Sequence, residues 1–410
     1  MRELKVLSLT IANGFLAFIS LYALTFLPNL RALHLENFKD FSFLENLRTL
    51  EILSLHASMS ENLADELGRL ENLKILDLTK CIFSLSFPSN VIRRLSQLEE
   101  LHLPELEIKI SSHTFLEINF LTRLTSLSLG ISFLHFPPDF EFPKLEKYKI
   151  CISRKRAILS LMLDGERSLK VKEVFPYVAV SQLLGNLERL QVSDIKDEYV
   201  KCLTNKTQQK LSVPMILRSL KQERIERCNN INVVFQMEEV EENEAPLLSN
   251  LKILHLEDLP DLSCIWELAT QHVRLESLVK LTIRECPRLK SLFSLSLAQS
   301  LVLLEKLDIS FCHGLKQIVA ELEGDEGEIS STINSHNSLC FPKLTRLSIF
   351  SCKVLEYIFL TSLAPPGLQG LTLDIGFCSL LKQVFRWEMT VCSNTSRDRY
   401  RPFQCYNTLN

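Results

Sequence analysis

The sequence predicts an α/β solenoid in which parallel strands line one concave face. Three observations lead to this prediction. A leucine-rich phrase recurs along almost the whole chain of 410 residues, its apolar positions alternate as in a short strand, and the residues between them change freely from copy to copy. One copy cannot bury its leucines alone, whereas stacked copies share a continuous core. We therefore expect one elongated array rather than separate compact domains.

The repeated phrase is L-x-x-L-x-L/I-x-x-C/N-x-x-L, as in Leu278–Phe293, Leu304–Val319 and Leu344–Phe359. This pattern is typical of leucine-rich repeats, whose L-x-L core is a strand with alternate residues facing inward. We take the second apolar position as the anchor of each unit. The anchors are Leu7, Leu33, Leu53, Leu76, Leu101, Leu127, Tyr148, Leu169, Leu190, Glu223, Leu254, Leu281, Leu307, Leu347 and Leu371.

Three of these anchors match the pattern weakly. The match at Leu169 is partial, the leucine and isoleucine that flank Glu223 carry the pattern there, and Leu371 competes with a register anchored at Leu373. The prediction is an irregular horseshoe of about fifteen repeats. Its concave side is a parallel sheet, and its convex side consists mostly of loops and short helices.

The solenoid is predicted over residues 1–385, followed by a non-repeat tail at 386–410. The longest step between anchors, from Leu307 to Leu347, contains an acidic run without core residues at useful spacing, so we expect a flexible loop at about 321–338. The first repeat has no polar cap before it. Either something else covers this end, or the chain is a truncated, C-terminal part of a longer protein.

The cysteines follow the repeat rather than a metal or disulfide pattern. The chain has twelve cysteines and no CxxC pair, unlike a zinc framework or a disulfide scaffold. Five of them occupy the same turn, three residues after the last apolar residue of a strand. A small thiol fills space there and donates weakly to the backbone, so we predict free thiols. These cysteines are Cys81, Cys228, Cys286, Cys312 and Cys352.

An uncharged, apolar run at residues 6–30 has two interpretations. Arg2 and Lys5 precede it, as in a signal peptide or membrane anchor. Polar residues and Pro28 interrupt the run, however, and it lies between two anchors at normal spacing. The interpretation as repeats is favoured, so membrane association is disfavoured and a cytoplasmic location is expected. A signal or anchor function stays open.

The segments "LGRLENLKILDLTKC", "LVKLTIRECPRLKSLF" and "FPKLTRLSIFSCKVLEYIF" also carry a family resemblance. The L-x-G-x-I-P motif of secreted plant receptors is absent. The chain instead resembles the leucine-rich-repeat region of plant intracellular disease-resistance proteins of the coiled-coil nucleotide-binding (NBS-LRR) class. The resemblance covers almost the whole chain. It implies a non-catalytic recognition domain in plant innate immunity.

In that family, a nucleotide-binding switch domain precedes the repeats and is restrained by them. This sequence has no G-x-x-x-x-G-K-[ST] phosphate-binding loop, so we expect no cofactor, and ADP or ATP only in the switch domain of a full-length relative. The resemblance implies a protein partner. That partner would be a pathogen effector, a guarded host protein or the switch domain.

Other functions receive less support from the residues. A general adaptor scaffold, such as the substrate reader of a ubiquitin ligase, would be favoured by an F-box-like helical unit, and none is visible. A membrane-anchored receptor fragment would need the run at 6–30 to act as an anchor. No H-E-x-x-H or G-x-S-x-G motif suggests an enzyme. The net charge of −3 suggests no general attraction to nucleic acid or membrane.

Two groups of residues are candidates for protein binding. The first lies in a basic stretch, Lys144 to Arg227, with 18 Lys and Arg against 10 Asp and Glu. It would suit an acidic partner or be a solvated face, and nucleic acid is disfavoured because aromatic residues are not interleaved with it. It comprises Lys147, Lys149, Lys170, Lys172 and Arg189.

The second group consists of variable residues on the last strands, next to the constant leucines. Their variation suggests contact with a ligand, and Phe350 would be an aromatic anchor of the kind common in interfaces. The group comprises Lys280, Thr282, Arg284, Lys306, Asp308, Arg346, Ser348 and Phe350.

The nine histidines are scattered, and no metal site is expected. His34, His102 and His255 share one concave position but lie in distant coils, so each is predicted to be a solvated surface residue. Asp77 and Asp308 occupy the same position and are too far apart to form a carboxylate pair.

Overall fold

A single parallel sheet extends along the described part of the protein. The computed structural model describes residues 3–11, 21–60, 63–79, 81–83, 90–103, 112–132, 137, 140–154, 165–173, 175, 177–196, 202, 217–236, 246–267, 273–320, 340–360 and 370–386. Within these ranges, fifteen strands pair side by side in chain order. They are β1 Val6–Thr10, β2 Ala32–Glu36, β3 Ile52–His56, β4 Ile75–Asp77, β5 Glu100–His102, β6 Ser126–Ser132, β7 Lys147–Ser153, β8 Arg167–Lys172, β9 Arg189–Ser193, β10 Gln222–Glu226, β11 Ile253–Glu257, β12 Lys280–Arg284, β13 Lys306–Ser310, β14 Arg346–Phe350 and β15 Thr372–Gly376.

The anchor residues form a buried row on the inner face of this sheet. Leu281, Leu307 and Leu347 are paired in register on adjacent strands, and all three are fully buried. A second inward residue two positions later, such as Ile283 beside Ile309, extends the same row of apolar contacts. Each strand buries little alone, and the stack buries a continuous core. The predicted leucine-rich-repeat solenoid with a parallel concave sheet is confirmed.

The register of the sheet shifts by two residues across β7. Leu127 of β6 pairs with Tyr148, but Tyr148 pairs with Arg167 of β8, so that Leu169 lies opposite Ile150. The prediction that Tyr148 and Leu169 are equivalent anchors was therefore wrong. The shift is possible because β7 carries a third inward apolar residue, Ile152, and a two-residue slip leaves every side chain on its original face.

The prediction of Leu371 as the last anchor was also wrong. Leu373, not Leu371, pairs with Leu347, and Ile375 pairs with Ile349. The structure adopts the register anchored at Leu373 because its L-x-I pattern supplies two inward residues and places Cys378 at the turn of the repeat. Cys378 donates from Sγ to the carbonyl of Gly376, as expected for a cysteine at this turn.

The convex side contains short helices and three small two-stranded sheets. The α-helices are α1 Leu63–Leu67, α2 Ser112–Ile118, α3 Tyr177–Leu184 and α4 Leu295–Ser300, and single 3₁₀ turns span Tyr22–Phe26, Ser42–Asn46 and Ile92–Arg94. Ser294 caps α4 by accepting a hydrogen bond from the N–H of Leu297. The small parallel sheets pair Met59–Ser60 with Ile82–Phe83, Val233–Gln236 with Cys264–Glu267, and Tyr357–Leu360 with Gln383–Arg386.

A ladder of aromatic rings forms a second spine behind the C-terminal strands. The Trp266 indole stacks on Phe235 with a centroid distance of 5.1 Å and lies 6.5 Å from the ring of Phe293. Its N–H donates to the carbonyl of Leu292 at 2.8 Å. Centroid distances of about 6 Å continue the ladder from ring to ring, which is typical of favourable aromatic packing. The further members are Phe341, Phe359 and Phe385.

The residue after a concave strand often adopts a left-handed backbone conformation. After β12 and β13, for example, Glu285 has φ of 53° and Phe311 has φ of 56°. The N–H of each donates to the next strand, to Ser310 and Phe350 respectively, so the ladder continues one residue beyond the strand. Non-glycine residues lose about 1–2 kcal/mol in this conformation. The fold fills this position with larger side chains despite that cost.

The turn cysteines act as small hydrogen-bond donors. The thiols of Cys228, Cys286 and Cys312 each donate to the carbonyl two residues before them, at 3.2, 3.3 and 3.4 Å. The ten described cysteines are free thiols. Burial raises the pKa of Cys81 and Cys228 to about 12, so both stay protonated and unreactive at neutral pH.

Several sequence predictions fall on residues outside the described ranges. These are the acidic loop at about 321–338, the tail at 387–410, and positions 12–20 of the apolar run at 6–30. Arg386, placed in the tail from sequence, instead ends the strand Gln383–Arg386. In the described part of the chain, no helix combines the length and apolarity needed to cross a membrane.

Candidate protein-recognition surface

The strands β12, β13 and β14 bring the C-terminal candidate residues together. Because inward residues alternate with outward ones, each strand contributes its first, third and fifth side chains to the concave face. The sheet register places these side chains in three rows of three. We call this surface the C-terminal patch. It consists of Lys280, Thr282 and Arg284, then Lys306, Asp308 and Ser310, then Arg346, Ser348 and Phe350.

The first row of the C-terminal patch is cationic. Lys280, Lys306 and Arg346 are paired in register, so adjacent members lie about 4.8 Å apart along the sheet. Arg346 binds Asp374 of β15, with 2.9 Å between Nη2 and Oδ2. Lys280 and Lys306 are exposed and make no ion pair with any described residue. Two neighbouring lysines therefore present uncompensated charge to a ligand.

The edge of the patch is aromatic. Phe350 is 39% exposed and Phe311, in the adjoining left-handed position, is 50% exposed. The ring of Phe350 lies over Gly376, where an added Cβ would come within 2.7 Å of the ring, so a larger residue would displace it. Exposed aromatic rings on a rigid sheet are good anchors for a partner side chain.

Two predicted contact residues contribute less surface than expected. Thr282 is 3% exposed and Ser348 is 9% exposed. Their short side chains lie in the middle row between longer neighbours, and Ser348 accepts a hydrogen bond from Nε of Arg346 at 3.4 Å. Thr282 and Ser348 therefore form the recessed middle of the C-terminal patch, while the lysines and aromatic rings form its accessible surface.

The basic group on β7, β8 and β9 lies on the concave sheet as predicted, but nearby carboxylates neutralise much of it. Lys147 pairs with Glu166 at 3.0 Å, and Lys172 lies 3.9 Å from Asp194. Arg189 lies 3.4 Å from Glu188.

Glu166 and Asp194 come from coils next to those of their lysines, so a count of charges along the sequence did not show these two pairings, whereas Glu188 directly precedes Arg189. Glu188 alone contacts Arg167, Arg189 and Lys221. Arg227 donates to both oxygens of Asp194 and lowers the pKa of that carboxyl.

The other two lysines of this group have different surroundings. Lys170 is 8% exposed, and its burial lowers its pKa. Lys149 makes no ion pair within the described ranges, and the register places it opposite Ser168 rather than Lys170. The basic group is therefore a mixed-charge surface, less suited to a strongly acidic partner than the sequence suggested.

A third group of residues on the concave sheet was not predicted from the sequence. On β10 and β11, Glu226, His255 and Glu257 converge, with one candidate ligand atom from each within 4.8 Å of the others. Nε2 of His255 lies 2.8 Å from Oε2 of Glu257 and 3.6 Å from Oε1 of Glu226. We call these three residues the carboxylate–histidine trio. His255 is not the solvated surface residue that the sequence predicts, because its side chain is 17% exposed and lies between two acids.

The sequence held a partial signal of this trio. His255 and Glu257 form an H-x-E pair within one strand, so alternation places both side chains on the concave face. Glu226 belongs to the previous coil, 29 positions before His255, and only the sheet register opposes it to Glu257.

The other two histidines on this concave position have simpler surroundings. His34 lies beside His56, with 6.4 Å between ring centroids, and His102 lies 3.5 Å from Glu100. Neither belongs to a group of three possible ligands among the described residues.

Comparison with known proteins supports the resemblance seen in the sequence. Residues 159–313 match a family model described as plant disease resistance protein RPS2-like, leucine-rich repeats. The disease resistance protein At4g27190 of Arabidopsis thaliana is 27% identical over 294 residues, covering 67% of this chain and 29% of that protein. The putative disease resistance protein At4g19050 of the same plant is 25% identical over 368 residues, covering 76% of this chain and 29% of that protein.

The chain thus spans less than a third of the length of the curated relatives it matches. Among solved structures, a leucine-rich-repeat protein of Leptospira interrogans has a TM-score of 0.44 and 20% identity, covering 86% of this chain and 74% of that one. At modest identity, the similarity of these repeats to the leucine-rich repeats of plant disease resistance proteins is confirmed.

Proposed function

We propose that this leucine-rich-repeat solenoid, similar to the repeat region of plant disease resistance proteins, is a non-catalytic protein-recognition module of plant defence. Its concave surface would bind a pathogen effector or a guarded host protein in the cytoplasm. In a longer receptor, the same repeats would also contact a nucleotide-binding switch domain, where ADP or ATP would bind. A ligand that prefers the released state then shifts the population towards it, by its difference in affinity for the two states.

The C-terminal patch is the observation that carries this proposal. The strands hold its side chains on a rigid parallel frame, and the buried leucines below them do not depend on which residues face outward. Rigid elements of this kind position contact residues precisely without large ordering costs. Specificity can therefore change at the patch while the core stays the same.

The chemistry of the patch favours a particular type of ligand surface. Lys280 and Lys306 would pair with carboxylates, while Phe350 and Phe311, at the opposite end of these strands, would receive an apolar side chain. We therefore expect a protein surface in which acidic residues flank an exposed apolar side chain. The mixed charge of the basic group on β7–β9 makes that surface a weaker candidate for the same ligand.

Reversing the charge of the two unpaired lysines is expected to weaken binding strongly. The double variant Lys280→Glu with Lys306→Glu opposes like charges to an acidic ligand, and we expect at least a tenfold loss of affinity for a direct partner. Partners are identified by proximity labelling of the full chain in leaf cells, and each affinity is then measured with purified proteins at two salt concentrations.

A matched control is the double variant Lys316→Glu with Lys353→Glu, which makes the same change of charge at exposed lysines outside the concave strands. It should keep the partners and the affinities of the original chain. If both double variants lose the same partners, or if neither loses any, recognition through the C-terminal patch is contradicted.

A further inference from the structure

We propose that the carboxylate–histidine trio, Glu226, His255 and Glu257, is a binding site for a divalent transition metal ion, with Zn²⁺ as the best-fitting ion. The site lies on β10 and β11, outside the C-terminal patch, and goes beyond the recognition function proposed above. It supplies one imidazole nitrogen and two carboxylates from a rigid part of the sheet.

The distances within the trio suit a single ion. Zn²⁺ binds imidazole nitrogen and carboxylate oxygen at about 2.0–2.2 Å, so tetrahedral ligand atoms lie roughly 3.3–3.5 Å apart. The separations from His255 Nε2 are 2.8 Å to Glu257 and 3.6 Å to Glu226, on either side of that value. Small side-chain rotations therefore bring all three atoms to bonding distance without moving the strands.

Neutral imidazole and ionised carboxylate are the forms that coordinate metals, so binding of the ion displaces any proton held between His255 and Glu257.

The choice of ion follows from the donor set. Imidazole favours Zn²⁺, Cu²⁺ and Ni²⁺ over Mg²⁺ and Ca²⁺, which prefer oxygen ligands alone. Three protein ligands leave a fourth position open on the concave side, since the His255 side chain is 17% exposed and that of Glu257 is 30% exposed. Water would fill this position, or a donor atom of a bound protein.

Two arginines compete with a metal ion for the same carboxylate. Arg224 donates from Nε to Oε1 of Glu226, and Nη1 of Arg227 lies 3.7 Å from Oε2. Binding of the ion requires Arg224 to release its oxygen, which moderates the affinity. This competition provides a test in which one variant should bind more tightly than the original chain.

The full chain, stripped with a chelator and reduced, is titrated with Zn²⁺ by calorimetry. We expect one ion per chain at this site and a loss of affinity of at least about tenfold in His255→Ala and in Glu257→Gln, while Arg224→Gln binds several-fold more tightly. His102→Ala is the matched control, because it removes a concave histidine that belongs to no group of three possible ligands among the described residues, and it should bind as the original chain does. Circular dichroism verifies that each variant is folded.

Substitution with Co²⁺ separates this site from the cysteines. Coordination by the trio gives a visible tetrahedral Co²⁺ spectrum without the near-ultraviolet thiolate band, and His255→Ala abolishes it. Three results would overturn the proposal: absence of stoichiometric binding, equal binding by His255→Ala and His102→Ala, or a thiolate band that persists in His255→Ala. In those cases the trio is only a hydrogen-bonded cluster.

Discussion

Replacing Glu223 with leucine is expected to stabilise the protein by several kcal/mol at pH 8. Glu223 lies in register between Leu190 and Leu254, in the row of inward anchors, and is 2% exposed. Its Oε2 has no hydrogen-bond partner among the described residues. A buried carboxyl without partners carries a desolvation cost that an aliphatic side chain at the same position does not.

The stabilisation should depend on pH in a defined direction. Burial raises the pKa of Glu223 from 4.5 to about 8 in the folded state. The folded chain then holds this proton more tightly than the unfolded chain, so the contribution of Glu223 to stability falls as pH rises from about 4.5 to 8 and is constant outside that window. At 1.36 kcal/mol per pKa unit, the full change is about 3–5 kcal/mol.

The measurement is the urea midpoint of the original chain and of Glu223→Leu at pH 5, 7 and 8.5, where the difference between the two should grow with pH. Glu223→Gln is the control, since it keeps a buried polar group but cannot ionise. The stability of Glu223→Gln should therefore lack the decrease between pH 4.5 and 8 that ionisation of Glu223 causes. A pH-independent difference between Glu223→Leu and the original chain would contradict the assignment.

Truncating Trp266 to alanine is expected to destabilise the C-terminal coils by about 3–5 kcal/mol. The substitution removes stacking on Phe235 and Phe293 and leaves the buried carbonyl of Leu292 without its donor. Because coils couple mainly to their neighbours, the loss should be local. Hydrogen exchange should show reduced protection in Val233–Gln236 and Cys264–Glu267.

Two control variants separate the contributions at Trp266. Trp266→Phe keeps an aromatic ring and loses the hydrogen bond, so about 1–2 kcal/mol is expected. Phe377→Ala truncates an aromatic ring that is 87% exposed and should change stability little. Equal loss of protection in β1–β3 and in the coils around Trp266 would contradict a local role of the aromatic ladder.

The repeat pattern predicted the concave sheet well because its signal is strong and local. The L-x-L strands recur with buried leucines, and Leu281, Leu307 and Leu347 are neighbours as the pattern required. The turn cysteines were equally predictable, since Cys286 and Cys312 follow their strands by a constant offset.

The features that the sequence missed depend on pairing between coils. The slip at β7 arises because Tyr148, Ile150 and Ile152 offer two equivalent registers, and sequence alternation alone does not choose between them. The aromatic ladder escaped prediction because its rings lie at irregular offsets outside the strand phrase. Similarly, the opposition of Glu226 and Glu257 depends on the length of the coil between them.

The shift at β7 affects how the concave wall can be used. A straight line of outward side chains continues through the paired residues, but beyond β7 it passes to a repeat position two residues earlier, or about 6.6 Å along the strand. A straight helix or extended segment that contacts one repeat position on β1–β6 therefore contacts another on β8–β15. A partner that contacts the same repeat position in both halves needs a matching step in its own surface or two separate segments.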